Sequence, residues 1–165
     1  MANNLKDMMP QKGRINQGFF RPKNPDKYIG DLSKIIYRSA WELKFLMFCD
    51  REERVLKYSI EMVTVPYYNP ITKRVNNYTI DFYMELLNEK GEVDKWLIEV
   101  KPKKFCFKPE PPKRKTERSL HTYKKNLETS FINRAKFTAA RGFARDNDMQ
   151  FGIVTEGFTF KNMIH

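Results

Sequence analysis

Apolar and polar positions recur along this chain with two different periods, and each change of period marks a new element. From residue 39 to about 51, Ala40, Leu43, Met47 and Phe48, with Trp41 and Phe45 nearby, fall at three- and four-residue spacing, which predicts a helix. Ser39 followed by Glu42 three residues later is the capping-box signature of its start. Strand-like stretches follow. The first is expected over 61–68, ended by the turn pair Asn69-Pro70, and the second over 77–87. The turn Asn88-Glu89-Lys90-Gly91 then leads into a third over 93–101, so the last two form a β-hairpin. Pro102, Pro109, Pro111 and Pro112 interrupt the pattern, and 102–118 reads as an extended basic loop. Helical spacing returns with Ile132, Ala135, Ala139, Ala140 and Phe143, predicting a second helix over 130–146. Phe151-Gly152-Ile153-Val154 marks a last short strand over 150–155. The order helix, three strands, helix, strand implies one α/β or α+β domain around a small sheet. Residues 1–30 have little periodicity and read as an extended arm anchored by Phe19, Phe20 and Tyr28, ahead of a domain over 31–165.

Composition narrows the class. A chain of 165 residues supports one domain with a substantial core. Its 31 Lys and Arg against 20 acidic residues leave a net charge of +11, which points to a polyanionic partner, nucleic acid above all. Cys49 and Cys106 lie far apart among aromatic residues, without the spacing of a zinc site or a disulfide framework, and a reducing cytoplasmic compartment is expected. His121 and His165 are too few and too scattered for a histidine metal centre. No apolar run is long enough to span a membrane, and the amino terminus shows no signal-peptide pattern.

The hairpin carries the chemistry. Along the expected 77–87 strand side chains alternate, so Tyr78, Ile80, Phe82 and Met84 share one face and Asp81 lies on the other. In the partner strand Trp96, Ile98 and Val100 share a face, so Glu99 and Lys101 point together to the opposite one. If Asp81 and Glu99 meet across the strands, two carboxylates and an ammonium converge. Adjacent carboxylates repel, and a bound cation relieves the repulsion. Oxygen donors completed by water suit octahedral magnesium, with Mn2+ as a substitute and the Val100 carbonyl as a further ligand. Lys101 then orients water and stabilises the transition state rather than acting as a general base.

The runs Tyr37-Arg38-Ser39-Ala40-Trp41-Glu42-Leu43-Lys44, Val65-Pro66-Tyr67, Ile80-Asp81-Phe82, Trp96-Leu97-Ile98-Glu99-Val100-Lys101-Pro102-Lys103 and 151–156 resemble the head completion nucleases of T-even-type tailed bacteriophages. These belong to the PD-(D/E)xK nuclease superfamily, and the chain is also similar to the end-cleaving nuclease subunits of certain bacterial transposases. The resemblance spans roughly residues 22–160. It implies a restriction-endonuclease-like αβββαβ core, a small mixed sheet flanked by helices. It implies Glu42, Asp81, Glu99 and Lys101 as the catalytic set, with Mg2+ held by Asp81, Glu99, the Val100 carbonyl and Glu42. It further implies a magnesium-dependent DNA endonuclease acting on packaged DNA ends late in head assembly, in the host cytoplasm or with the virion, and beside head or portal vertex proteins. Ile80 stands where the family usually has proline. Glu61 also matches an acidic family position, but as a strand-edge residue it is left out of the catalytic set.

Lys103, Lys104, Lys108, Lys113, Arg114, Lys115 and Arg118 follow the catalytic strand directly and are expected to hold the phosphate backbone. Tyr123, Asn126, Asn133 and Lys136 fall near or on the second helix, and Lys136 is placed either at the active site or on a solvated helix face. A non-catalytic DNA-end-binding or virion structural protein that retains the fold is the alternative. It has little use for three acids beside DNA, because carboxylates facing phosphate without a metal are repulsive.

Overall fold

The computed structural model describes residues 17–156, so residues 1–16 of the expected arm and His165 lie outside the described residues. Helix α1 spans Ala40–Arg51, and the Ser39 side chain accepts the Glu42 N–H, as the capping signature predicts. Phe45, Leu46 and Cys49 are buried on its inner face. Ahead of it, two short strands, β1 (Gly18–Phe19) and β2 (Ile36–Tyr37), pair antiparallel.

The sheet departs from the expected strands in its first half. Strand β3 occupies Val55–Ile60, where no strand is expected, and the expected 61–68 strand becomes β4 at Thr64–Asn69. The expected 77–87 strand is two strands, β5 (Arg74–Thr79) and β6 (Phe82–Leu87), parted at Ile80-Asp81. β3 pairs with β6 and β4 with β5, both antiparallel, so these four strands form one long hairpin bent in the middle. Two backbone bonds carry the pairing across the bend, from Glu61 N–H to the Asp81 carbonyl and from Ile80 N–H to the Val63 carbonyl. Glu61 takes a left-handed φ of 48° there. Its tip is the expected turn, where the Asn69 side chain accepts the N–H groups of Ile71 and Thr72.

Strand β7 spans Val93–Val100 and pairs with β6 through the expected turn at Asn88 to Gly91, where Gly91 has φ 80°. After the basic loop comes α2, Glu117–Asp146, and then β8, Gln150–Val154, which lies parallel to β7. Sheet order is β3-β6-β7-β8. The α1, β3, β6, β7, α2, β8 sequence is the αβββαβ core, with β4 and β5 as an added arm. Helix α2 begins well before the expected residue 130. Thr116 and Ser119 cap it reciprocally, a serine standing where the usual signature has Glu or Gln. Its first turns are largely exposed, so no buried stripe betrays them.

The helices cover opposite faces of the sheet. Phe82, Met84, Trp96, Ile98 and Val100 join the α1-side core with Phe45 and Leu46. Leu97, Tyr83, Phe151 and Ile153 join the α2-side core with Phe137 and Ala140. The bend also turns Tyr78 and Ile80 into this second core, so they do not share a face with Phe82 and Met84. The simple alternation expected through 78–84 fails because the backbone bends at Ile80-Asp81.

Candidate active site

Asp81 sits at the bend, one residue before β6. Continuing the β6–β7 register, in which Phe82 opposes Ile98, places Asp81 opposite Glu99. One Asp81 oxygen, Oδ2, accepts the Val100 N–H at 2.9 Å. Glu99 is only 3% exposed, and its two oxygens are taken from opposite sides. The Tyr78 hydroxyl donates to Oε2 at 2.6 Å, and the Lys101 ammonium donates to Oε1 at 2.5 Å. Asp81, Glu99 and Lys101 therefore converge. Burial pushes the Asp81 carboxyl well above the usual carboxylate range, and the Glu99 charge adds to the shift.

Glu42 faces the same place from the first turn of α1. It lines a small cavity of about 70 Å³ with Asp81, Arg38 and Glu61, and its charge also raises Asp81. Its carboxylate is already engaged, accepting the Arg38 N–H at 2.7 Å and the Ser39 hydroxyl at 3.0 Å. Direct ligation of an ion through Glu42 would give up those capping bonds, and the cavity has room for a bridging water. Among the described residues no three acidic, histidine or cysteine side chains gather closely enough to cage a metal alone. Two carboxylates supplemented by water suit magnesium, which keeps much of its hydration shell. Asp81 Oδ1 accepts no hydrogen bond among the described residues and could hold such an ion together with Glu99. In the structure the Lys101 ammonium neutralises part of this charge.

Tyr78 was hidden from sequence reasoning, because the unbent strand places it on the apolar side. Lys136 is half-buried beside this cluster, its ammonium 5.7 and 5.3 Å from the ring centroids of Tyr67 and Tyr78. Burial lowers its pKa and Lys101 lowers it further, against the raising effect of Glu99 and Asp81. Glu61 ion-pairs with Arg38 at the cavity rim, and only the family resemblance signalled it. Of Val100, it is the amide that meets Asp81.

The expected DNA-binding cations outside this cluster are spread along exposed surface. Lys103, Lys104, Lys113, Arg114 and Lys115 lie in the loop, and Arg118 on the first turn of α2. The loop is pinned at its root by the Lys103 N–H on Glu156 and by the Asn133 side chain on the Phe105 carbonyl.

A family model described as TnsA-like endonuclease N terminal matches residues 52–156, which takes in the whole hairpin, Asp81, Glu99 and Lys101 but not α1. The head completion nuclease of Enterobacteria phage T4 is 31% identical over 139 residues, covering 84% of this chain and 90% of that protein. No solved structure matches significantly. With the αβββαβ core in place and both matches running through its central strands, the chain belongs to the TnsA-like endonuclease family and is a relative of the T4 head completion nuclease.

Proposed function

We propose that this endonuclease cleaves DNA by metal-assisted phosphodiester hydrolysis and that it acts on DNA ends during phage head completion, beside proteins of the head or portal vertex. The T4 relative's name supports the setting. The observation that carries the chemistry is the meeting of Asp81 and Glu99, with Lys101 bonded to Glu99 and Glu42 across the small cavity. Asp81 and Glu99, with the Val100 carbonyl, would hold a magnesium or manganese ion, and Glu42 would reach it through water. Such an ion, when bound, lowers the pKa of a coordinated water and offsets charge on the phosphate.

The protein's own groups do the positioning. Val100 N–H fixes one oxygen of Asp81, and Tyr78 fixes one of Glu99, so neither carboxylate has to be ordered when DNA arrives. Lys101, bonded to Glu99 at the edge of the site, would stand beside the phosphate and stabilise the transition state. Lys136, held over two tyrosine rings, adds positive charge on the same side.

The test is nicking of supercoiled plasmid with magnesium. Asp81→Asn and Lys101→Ala should each lower the rate by about 100-fold or more, and EDTA should abolish it. Nicking that persists in EDTA, or that survives both substitutions, overturns the proposal.

A further inference from the structure

On the β8 side of α2 lies a cleft that the reacting centre does not use. Its volume is about 420 Å³, within the range of ligand sites. Phe107 from the basic loop and Phe131 from α2 line it, 53% and 42% exposed. Lys108, Arg134 and Arg141 line it as well, and among the described residues no acidic side chain lines it. A second cleft of about 590 Å³ shares Phe107 and Lys108 and continues past Lys103 and Lys104, with Glu110 as its one acidic lining residue among the described residues. Phe137 forms the floor nearest the active site, and the Lys101 ammonium is 5.8 Å from its ring centroid.

Two exposed phenylalanines among cations suit a ligand with both flat apolar faces and negative charge. We infer that this cleft holds an unpaired DNA strand beside the reacting centre, so that the substrate class is DNA with a single-stranded or frayed end. A duplex keeps its base faces stacked inside and offers a protein mainly phosphates and groove edges, which lysine and arginine can meet without phenylalanine. Unpaired bases offer their faces, and stacking on aromatic side chains is how sequence-independent single-strand sites gain affinity. The charge balance selects the same occupant: the cations follow the backbone while the rings take the bases. An apolar protein partner would gain little from a rim that carries Lys108 and Arg134.

This inference deepens the DNA-cleaving reading and rests on it for its ligand. Its test is fluorescence anisotropy with labelled oligo(dT) and with a blunt duplex of equal length, in EDTA so that neither is cut, using the full chain. Phe107→Ala and Phe131→Ala should each weaken oligo(dT) binding by at least about fivefold and leave duplex binding unchanged. Phe131→Tyr, which keeps an aromatic face, should retain it. Both positions are exposed, and a circular dichroism melt run alongside verifies the fold. Equal weakening on both probes, or no weakening on either, overturns the inference and returns the cleft to a general phosphate surface or a protein-binding face. Plasmid nicking reports separately: parent protein that binds oligo(dT) through these rings yet fails to nick sinks only the cleavage reading. Nicking that persists without any dependence of oligo(dT) binding on Phe107 and Phe131 sinks only the cleft.

Discussion

Asp81 is the buried carboxyl at the bend of the long hairpin. The bend between β5 and β6 buries its carboxyl against Glu99, and the folded state consequently holds its proton more tightly than the unfolded chain does. Folding therefore loses stability as pH rises from about 3.9, the ordinary value for aspartate, through the raised folded value, and the loss persists above it. Asp81→Asn removes the charge while offering Val100 N–H the same acceptor. The variant should melt several degrees above the parent at pH 8 in EDTA, on a scale of about 2–4 °C per kcal/mol for a chain of this size. Below about pH 3.5 the two should melt together, since both groups are then neutral. Thermal melts across pH read this directly, and a variant less stable than the parent at pH 8 would mean that the carboxylate is not held at a cost. The shared face of Glu99 and Lys101 could be read from the sequence, because strand parity is local, whereas Asp81 lies at the bend where parity fails and is singled out by the family resemblance. Tyr78 could not be read this way, since its partner Glu99 is reached only after the chain has bent.

Among the elements, α1 serves the structure at both ends. Its start carries Glu42, whose carboxylate caps the helix and looks toward Asp81. Near its end Asp50, 2% exposed, accepts the N–H groups of Lys23 at 2.9 Å and Asn24 at 3.0 Å, and its carbonyl takes the Asn24 side chain. These bonds, with buried Phe20 and the edge-on packing of Tyr28 on Tyr58, hold the segment from residue 20 to 28 on the domain. Asp50→Ala strands two N–H groups and should cost about 1–3 kcal/mol. Limited proteolysis should then cut within 20–30 well before the rest of the chain, and equal protection in parent and variant would show that the clamp lies elsewhere. Two elements escaped sequence reading for physical reasons. A register shift between Val55 and Lys57 breaks the alternation of β3, because a bulge adds a residue that opposes nothing. The first turns of α2 bury little, so tertiary packing further along, not an apolar stripe, sustains them.

Over the whole molecule, part of the basic excess is arranged as exposed cations running from the end of β7 along the loop to α2. If this path follows the DNA backbone, Lys113→Glu, Arg114→Glu and Lys115→Glu together should weaken duplex binding and flatten its salt dependence, by about 0.9 in the log–log slope for each phosphate that is no longer neutralised. Titrations at several salt concentrations measure that slope, and an unchanged slope assigns the loop to another partner.

Local pattern in the chain suffices for the capped first helix, the β6–β7 turn, the side of the sheet that Glu99 and Lys101 occupy, and the basic excess. Each of these follows from neighbours a few residues apart, where spacing, parity and turn chemistry act. Tertiary structure alone decided that the long hairpin bends, that Tyr78 reaches Glu99, that Lys136 leans over two tyrosines, and that Phe107 and Phe131 share a cleft. Those outcomes join residues dozens of positions apart, and they depend on how two helices pack on opposite faces of one twisted sheet, which no local pattern encodes.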